Sequence, residues 1–525
     1  MSYRYVSNIY PIQAVSAIFF ALSLTPACSS SSPPSTIESE SPINCDTGGA
    51  GFCTEESQTA IEESRAAPEY GRPSEQTGNP GLGDGGATIP GQPTSKQSGS
   101  VIKDGGAAIN NDGSVVGPGS VVAEPEDEAS HIFDQAVVHT FDVEITLENL
   151  EIVDSNPAAE QYVPARLSFE GKTYDIGFRY KGSMGAFFPP CTDLLSGGRK
   201  AGKCSVKVSF NWSDSKGMLL GLKKLVFNSM NNDPSMMRER LGYSLFREMD
   251  APAPRATHAV LRINGQADIF TLVEVVDGRF TRSHFTEGGK GNLYKEIWPV
   301  WDDPQAYLSA LRTNEDDNPS VDRILRFSQA IFQGPNETAA WMDADATTSW
   351  IAVDRVIMND DGPFHLYCFP GALGSNPAAP GNHNYYWYEA KDADRLWIIP
   401  WDLDLSMGGT MTGTLTQTLV AVDWRTQFAA DAEECKICEQ WGVWSSLGPP
   451  PGCDRLFQAF QAWQAQYEAK VDRLVAGPFS KAAVDNKINK WKQQISGAGF
   501  PVNETAISEL TRILDQARIN RGYAY

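Results

Sequence analysis

The segment from Trp397 to Gly409, WIIPWDLDLSMGG, places two carboxylates directly after an apolar run. The run Leu396 to Ile399 predicts a buried strand, which ends at Pro400 because proline has no backbone N–H to donate. Asp402 and Asp404 follow at a spacing of two, which on an extended chain puts both on one face. A buried carboxylate needs a cation, a metal or a proton, so the pattern predicts a site for magnesium and phosphate. The alternative is that both residues only cap a turn.

The composition of the chain changes near residue 130. Before this point Ser, Gly, Pro and acidic residues predominate, whereas aromatic and aliphatic residues are plentiful after it. A segment that buries little apolar surface cannot offset the entropy lost on folding. We therefore predict a disordered tether over residues 29–130 and a folded domain over residues 131–525. The formal net charge of −22 argues against nucleic acid as a partner.

The N-terminus resembles a bacterial lipoprotein signal. Arg4 precedes an apolar stretch from Ile9 to Leu24, which is shorter than a membrane span and leads into Thr-Pro-Ala-Cys28. This pattern predicts a signal peptide over residues 1–28 and a lipid on Cys28 as the sole membrane attachment. Ser29 after the cysteine favours the outer membrane or cell surface as the location in the cell envelope. Without the lipid, the protein would be secreted.

The cysteines fit an oxidising compartment. Nine cysteines minus Cys28 leave an even set of eight. Two pairs are close enough in sequence to close short loops, Cys45/Cys53 and Cys191/Cys204. For the remaining four we expect two disulfides, because a secreted chain favours oxidation. The alternative is a zinc site that starts at Cys435-x-x-Cys438 and also uses Cys368 and Cys453.

The hydrophobic pattern predicts an antiparallel sheet in the first part of the folded domain and mainly helix from Asp302 onward. A hairpin is expected where Asn264-Gly265 joins two apolar runs. A helix is expected after Asp233 as N-cap and Pro234 as first helical residue. Its apolar stripe is Met237, Leu241, Leu245 and Met249. The remaining predicted strands are Val137–Leu147, Gln161–Phe169, Lys172–Tyr180, Ser205–Phe210 and Leu222–Ser229.

Several lysines are candidate phosphate ligands. Gly182 and Gly185 would let backbone N–H groups approach a phosphate, and the candidate cations are Lys181, Lys203, Lys207 and Lys295. Lys207 occupies an interior strand position. Glu274, in an aliphatic strand, is expected either on the solvent face or paired with a buried cation, and it is the expected orienting partner of Lys207 if Lys207 binds phosphate. The alternatives are an ordinary turn with solvated charges, and a Lys207 that alternates outward from its strand.

Further polar residues border the strand before Asp402. Asp361 lies on the turn Asn-Asp-Asp-Gly-Pro that ends a helix over Asp345–Met358, and Asn384 lies in a predicted strand over His383–Tyr388. Asp361 and Asp402 are therefore expected at the edges of one small hairpin-like unit.

Taken in order, these segments resemble the CotH family of spore coat protein kinases over roughly residues 135–525. The resemblance implies an atypical protein-kinase-like α+β fold that binds ATP and magnesium and phosphorylates protein hydroxyls. Asp361 and Asp402 look like the family's catalytic aspartates, and Asn384 and Asp404 join them as candidate metal ligands. The segments that carry the resemblance are Tyr180–Ser183, Asp233–Ser235, Leu272–Glu274, Gly291–Lys295, Asp361–Gly362, His383–Tyr385 and Ile399–Asp404.

The chain departs from the family pattern at three places. Lys181 stands where the family usually has Arg. An arginine can form two parallel hydrogen bonds to a phosphate, whereas the lysine ammonium acts as a single point charge. Insertions occupy Phe187–Lys203 and about Pro363–Gly381. We expect a secreted or envelope-anchored protein kinase that uses ATP and magnesium to phosphorylate Ser or Thr of extracytoplasmic proteins. The alternative is a catalytically inactive surface binding or structural protein, similar to an adhesin.

Overall fold

The computed structural model describes residues 108–109, 115–116, 125–182, 191–193, 196–200, 202–286, 288–300, 302–315, 319–367, 381–409, 423–436, 439–441 and 445–521. Its first elements are two short antiparallel strands, β1 (Ala108–Ile109) and β2 (Val115–Val116). A 3-10 helix, Glu128–His131, precedes the main sheet.

Seven strands form a closed barrel. They are β3 (His139–Glu144), β4 (Val163–Phe169), β5 (Lys172–Tyr180), β6 (Val206–Ser209), β7 (Lys224–Asn228), β8 (Ala256–Ile263) and β9 (Gln266–Val273). Their order is β3-β4-β5-β6-β7-β9-β8, and β3 closes the barrel by pairing with β8. That pair is parallel, whereas the other neighbours are antiparallel. Buried side chains that include Phe141, Phe178 and Val208 fill its core.

The strands predicted from alternation are confirmed, with small changes at their ends. The predicted first strand ran to Leu147, but β3 ends at Glu144 and helix α1 (Leu147–Ser155) follows. Thr146 starts that helix because its side chain accepts a hydrogen bond from the backbone N–H of Asn149. The Asn264-Gly265 turn joins β8 and β9 as expected, with both residues at positive φ.

Helix α2 (Arg238–Glu248) begins later than the sequence pattern predicts. The prediction of Asp233 as its N-cap is wrong, because Asp233 accepts hydrogen bonds from the backbone N–H groups of Ser235 and Arg238 in a separate turn. The apolar stripe is confirmed, since Met237, Leu241 and their two partners at fourfold spacing are fully buried.

The second half combines a small antiparallel sheet with helices, which confirms the α+β class. The sheet has the order β10 (Asn292–Lys295), β11 (Tyr385–Glu389) and β12 (Leu396–Pro400), and a separate pair is β13 (Glu439–Trp441) and β14 (Ser445–Leu447). The helices are α3 (Gly278–His284), α4 (Pro304–Ala310), α5 (Asp322–Gln333), α6 (Pro335–Ala339), α7 (Ala344–Val356), α8 (Arg455–Phe460), α9 (Gln464–Ala476), α10 (Lys481–Gly497) and α11 (Glu504–Asn520). Shorter 3-10 turns are Pro157–Ala159, Glu433–Lys436, Pro451–Cys453 and Gln461–Trp463.

Two disulfides are present in the described part of the chain. Cys191 bonds to Cys204, as expected, and Cys435 bonds to Cys453. The second bond excludes a zinc site built from four thiolates, since two of them are consumed. Cys368 and Cys438 lie outside the described residues, as do Cys45 and Cys53.

None of the helices within the described ranges has the length and apolar character needed to span a bilayer. The predicted signal peptide, Cys28 and nearly all of the predicted tether lie outside these ranges.

Candidate active site

Two aspartates follow β12 and are held by side chains from the first half of the chain. Asp402 adopts a left-handed conformation, with φ of 48°, and its backbone N–H donates to Tyr243 Oη on α2 at 2.9 Å. Asp404 Oδ2 accepts a hydrogen bond from Asn232 Nδ2 at 2.9 Å. Burial raises the pKa of Asp404 to about 8, and the charge of Asp402 acts in the same direction. The two carboxylates are therefore close enough to repel each other.

Asp361 lies on the turn after α7 and contacts Asn384, just before β11. Asn384 Nδ2 donates to Asp361 Oδ2 at 2.8 Å, and Tyr367 Oη donates to Asp361 Oδ1. Burial raises the pKa of Asp361, and the charge of Asp402 also raises it, whereas His383 and the two hydrogen bonds oppose this shift. Trp401, next to Asp402, donates its backbone N–H to the carbonyl oxygen of Asn384 at 3.0 Å. The predicted hairpin-like unit thus brings Asp361, Asn384 and Asp402 together.

Glu239 on α2 is a fourth carboxylate at this site, and the sequence interpretation missed it. Its side chain is buried, and its Oε1 accepts from Asn228 Nδ2 at 2.7 Å. Its Oε2 has no hydrogen-bond partner among the described residues. Burial and then the charges of Asp402 and Asp404 raise its pKa well above the usual value. The sequence signal was weak, because a glutamate in the first turn of a helix is ordinary.

Lys181 provides a cation beside these carboxylates. Its Nζ donates to Asn228 Oδ1 at 2.9 Å and lies 5.8 Å from the centre of the Trp401 ring. Asn228 therefore links Lys181 to Glu239 through its amide. Gly182 has the positive φ expected of a glycine turn, but its N–H donates to Glu160 Oε1 at 2.8 Å. Gly185, the other predicted phosphate-binding glycine, lies outside the described residues.

The aspartates are not gathered into a closed three-carboxylate cage. Among the described residues, no three acidic side chains of this cluster bring their oxygens within 4.8 Å of one another. Magnesium does not require such a cage, because it is commonly held by one or two carboxylates together with substrate phosphates and waters.

A family model described as CotH kinase protein matches residues 178–521, which include this whole carboxylate cluster. The match covers more than half of the chain. The chain belongs to the CotH family. Its fold is therefore kinase-like, and a kinase activity is suggested by membership.

Two curated relatives of this CotH protein come from Bacillus subtilis (strain 168). The inner spore coat protein H-like protein is 41% identical over 75 residues, which are 14% of this chain and 23% of that protein. The inner spore coat protein H is 23% identical over 282 residues, which are 50% of this chain and 66% of that protein. The matched stretches therefore span less than two thirds of either relative.

Lys295 on β10 is a second cation near the CotH carboxylates. Its Nζ lies 3.5 Å from Glu296 Oε2, and it stands opposite Tyr386 in the sheet. Burial alone would lower the pKa of Lys295, but Tyr386, Glu296 and Asp402 outweigh burial and raise it. Lys181 and Lys295 are thus the two predicted lysines that the structure places beside the cluster.

Lys203 lies elsewhere. Its Nζ donates to the carbonyl oxygen of Ile269 on β9 at 2.8 Å and lies 3.6 Å from Asp268 Oδ1. Burial lowers the pKa of Lys203, and Asp268 partly offsets this. Its role as a nucleotide ligand stays a prediction, but its observed contacts are with the barrel.

The expected pair of Lys207 and Glu274 is wrong. Lys207 lies between the buried Val206 and Val208 on β6, so it alternates away from the barrel core. Burial, followed by the charges of Arg179, Lys224 and Lys181, lowers its pKa to about 7.

Glu274 instead accepts hydrogen bonds from two arginines. Arg255 Nη2 and Arg279 Nη1 each lie 2.7 Å from Glu274 Oε1. The backbone N–H of Glu274 also bonds to the carbonyl oxygen of Arg255, because β8 and β9 pair up to this point. That register directs Glu274 to Arg255 and not to Lys207.

Proposed function

We propose that this CotH protein is an ATP- and magnesium-dependent protein kinase that phosphorylates Ser or Thr of extracytoplasmic proteins. One observation carries the proposal: burial and the nearby charge of Asp402 raise the pKa values of Asp361, Asp404 and Glu239, while Lys181 and Lys295 lie beside this cluster. Phosphoryl transfer needs this combination of carboxylates for metal and hydroxyl and cations for phosphate.

The donor set fits magnesium. Carboxylate and amide oxygens are the ligands that this ion prefers, and a bound cation would favour the ionised form of Glu239 and Asp404, which burial disfavours. Asp402, Asp404 and the amide oxygen of Asn384 would hold the metal. A magnesium ion held there would supply positive charge that offsets the charge developing on the phosphates during transfer.

Asp361 is the proposed residue that orients the attacking hydroxyl and accepts its proton. Its carboxylate is held in place by the side chain of Asn384. A fixed carboxylate holds the hydroxyl oxygen in line with the phosphorus. Lys181 and Lys295 would bind the phosphates, with Asn228 positioning Lys181.

The test uses the full chain with labelled ATP, magnesium and a generic protein acceptor. We expect transfer that EDTA abolishes and that falls by at least about 100-fold in Asp361→Asn and Asp402→Asn. Asp392→Asn, an exposed aspartate in the turn between β11 and β12, is the matched control. Unchanged transfer in both site variants would show that the site is misassigned.

One contact favours a second function, a surface binding protein without turnover. Tyr367, at the start of the family-atypical insertion, donates its hydroxyl to Asp361 and so occupies one of its oxygens. ATP and magnesium at 100 times Kd should stabilise a nucleotide-binding fold by about 2.7 kcal/mol. No shift in melting temperature, in the wild type or in Tyr367→Phe, would favour this second function.

We also propose attachment through a lipid on Cys28 at the outer membrane or cell surface. A tether of about 100 residues has a mean reach on the order of 50–60 Å, enough to hold the domain clear of a membrane. Mass spectrometry should find diacylglycerol on Cys28, and Cys28→Ser should abolish detergent partitioning. An unmodified Cys28 would remove the anchor and leave the kinase proposal intact.

A further inference from the structure

Two histidines and a glutamate from three separate segments meet at one end of the barrel. His131 ends the 3-10 helix Glu128–His131, His139 begins β3, and Glu170 lies in the turn between β4 and β5. His131 Nε2 lies 2.8 Å from Glu170 Oε1, and His139 Nδ1 lies 3.7 Å from the same oxygen. One ligating atom from each residue falls within 4.8 Å of the other two. The sequence interpretation did not single out these residues.

The hydrogen bond of His139 determines which ring nitrogen is free. Its Nε2 lies 2.8 Å from the carbonyl oxygen of His131, and a carbonyl only accepts, so Nε2 carries the hydrogen. In the neutral ring, Nδ1 then presents a lone pair towards the carboxylate of Glu170. His139 Nδ1 and Glu170 Oε1 are both electron-rich and face each other. A cation between these two atoms would stabilise the arrangement. Donation of the second ring N–H to a backbone carbonyl is also the usual arrangement for a metal-bound histidine.

Packing holds these three side chains in place before any ion binds. The Phe169 ring stacks on Phe141 with centroids 4.6 Å apart, and its centroid lies 5.4 Å from that of His139. Glu170 and Gly171 both have positive φ in a two-residue hairpin turn, which fixes the position of the glutamate. The side chains of His131 and Glu170 are 51% and 53% exposed, so the cluster is open to ions in solution.

We propose that His131 Nε2, His139 Nδ1 and the Glu170 carboxylate bind a divalent transition-metal ion of the zinc class. Two imidazoles and one carboxylate form a common three-ligand set for zinc, with water in the fourth position. Magnesium and calcium prefer oxygen-only ligands and are disfavoured here. The bound ion would link the 3-10 helix Glu128–His131, which precedes the barrel, to the barrel strands.

This site is separate from the carboxylate cluster and does not depend on kinase activity. Glu170 precedes β5 and Lys181 follows it, and the nine residues of that strand span on the order of 30 Å.

The experiment measures zinc binding to the full chain, purified without a polyhistidine tag and stripped with EDTA, in excess magnesium. Calorimetry should show one tightly bound zinc ion per chain. The Kd for zinc should be at least about 10-fold higher in Glu170→Gln and in His131→Ala. Both residues are exposed, so these variants should melt like the wild type in EDTA. Glu148→Gln, an exposed glutamate on α1, is the matched control, and Asp402→Asn should retain the tightly bound zinc ion.

Cobalt supplies a second readout that a structural role of these residues would not change. Tetrahedral cobalt bound to the wild type should give visible absorption bands, which Glu170→Gln should weaken or abolish. Zinc should also raise the melting temperature of the wild type and not that of His131→Ala. The absence of a tightly bound zinc ion, or equal binding by wild type, Glu170→Gln and His131→Ala, would overturn the proposal.

Discussion

Asn384 donates its amide Nδ2 to Asp361 twice, to the carboxylate Oδ2 at 2.8 Å and to the backbone oxygen at 2.9 Å. The two residues are 23 positions apart, and the insertion at about Pro363–Gly381 accounts for most of that separation. The insertion therefore does not keep these two side chains apart.

The Asn384 contact predicts a loss of catalytic rate when the amide is removed. Asn384→Gly deletes the side chain without straining the backbone, because φ at this position is +65°. We expect kcat for phosphate transfer to fall about 100-fold, because Asp361 loses its orientation and the metal loses one of its proposed ligands. Asn314→Gly, at another positive-φ asparagine far from the cluster in sequence, should leave kcat unchanged. Equal rates in both variants would contradict the positioning role.

Burial of Asp404, together with the charge of Asp402, predicts that the stability of the fold falls as pH rises. The folded-state pKa is raised to about 8, whereas the unfolded value is about 3.9. Between these values the folded state keeps a proton that the unfolded state has lost, so the free energy of unfolding falls as pH rises from about 4 to about 8. The slope contributed is at most about 1.4 kcal/mol per pH unit.

Urea unfolding of wild type and Asp404→Asn in EDTA, from pH 5 to pH 8, measures this contribution. The wild type should lose stability relative to the variant as pH rises. Magnesium should reduce the difference by stabilising the ionised carboxylate. Parallel curves for the two proteins would mean that Asp404 does not take part in the repulsion.

The lysine positions predict which substitution weakens nucleotide binding. Lys181 lies beside Asn228 and Trp401, whereas Lys203 bonds to the carbonyl oxygen of Ile269. Lys181→Ala should raise Kd for ATP with magnesium by at least 10-fold, which corresponds to about 1.4 kcal/mol. Lys203→Ala is the matched control and should bind as the wild type does. If calorimetry instead shows a higher Kd in Lys203→Ala than in Lys181→Ala, Lys203 would be the phosphate ligand.

The buried position of Glu274 predicts a large loss of stability in Glu274→Gln. Burial opposes ionisation, but His284 and Arg255 outweigh it and hold the pKa well below the usual value. Removing this charge leaves Arg255 and Arg279 with Asp127 as a shared carboxylate, at a cost of up to about 3–5 kcal/mol at neutral pH.

The lowered pKa of Glu274 also determines the pH range over which Glu274→Gln is less stable than the wild type. The stabilisation by Glu274 is complete above its unfolded pKa, near 4.5, and is lost as pH falls towards the folded value. The difference in the free energy of unfolding between wild type and Glu274→Gln should therefore become smaller below about pH 4.5. Denaturant unfolding at pH 7 and pH 3 measures it, with Glu144→Gln, an exposed glutamate on β3, as control. A gap that is the same at both values would contradict this account.

Sequence patterns predicted those features that depend on neighbouring residues. Alternation located the barrel strands to within a few residues, and Asn264-Gly265 located the hairpin turn. The strand that ends at Pro400 also followed from local chemistry, because proline cannot donate to a ladder. The order of motifs around Asp361 and Asp402 was sufficient to identify the CotH family.

Tertiary structure alone decided which charges meet. Glu239 lies near Asp402 and Asp404 because α2 packs against the turn after β12. The sequence pattern of α2 alone does not predict this contact. Glu274 faces Arg255 and not Lys207 because strand register, set by the parallel closure of β3 on β8 and the β8–β9 hairpin, directs each side chain to one neighbour. Local sequence sets backbone conformation, but the partners of a buried charge come from segments that are distant in the chain, and only packing brings them together.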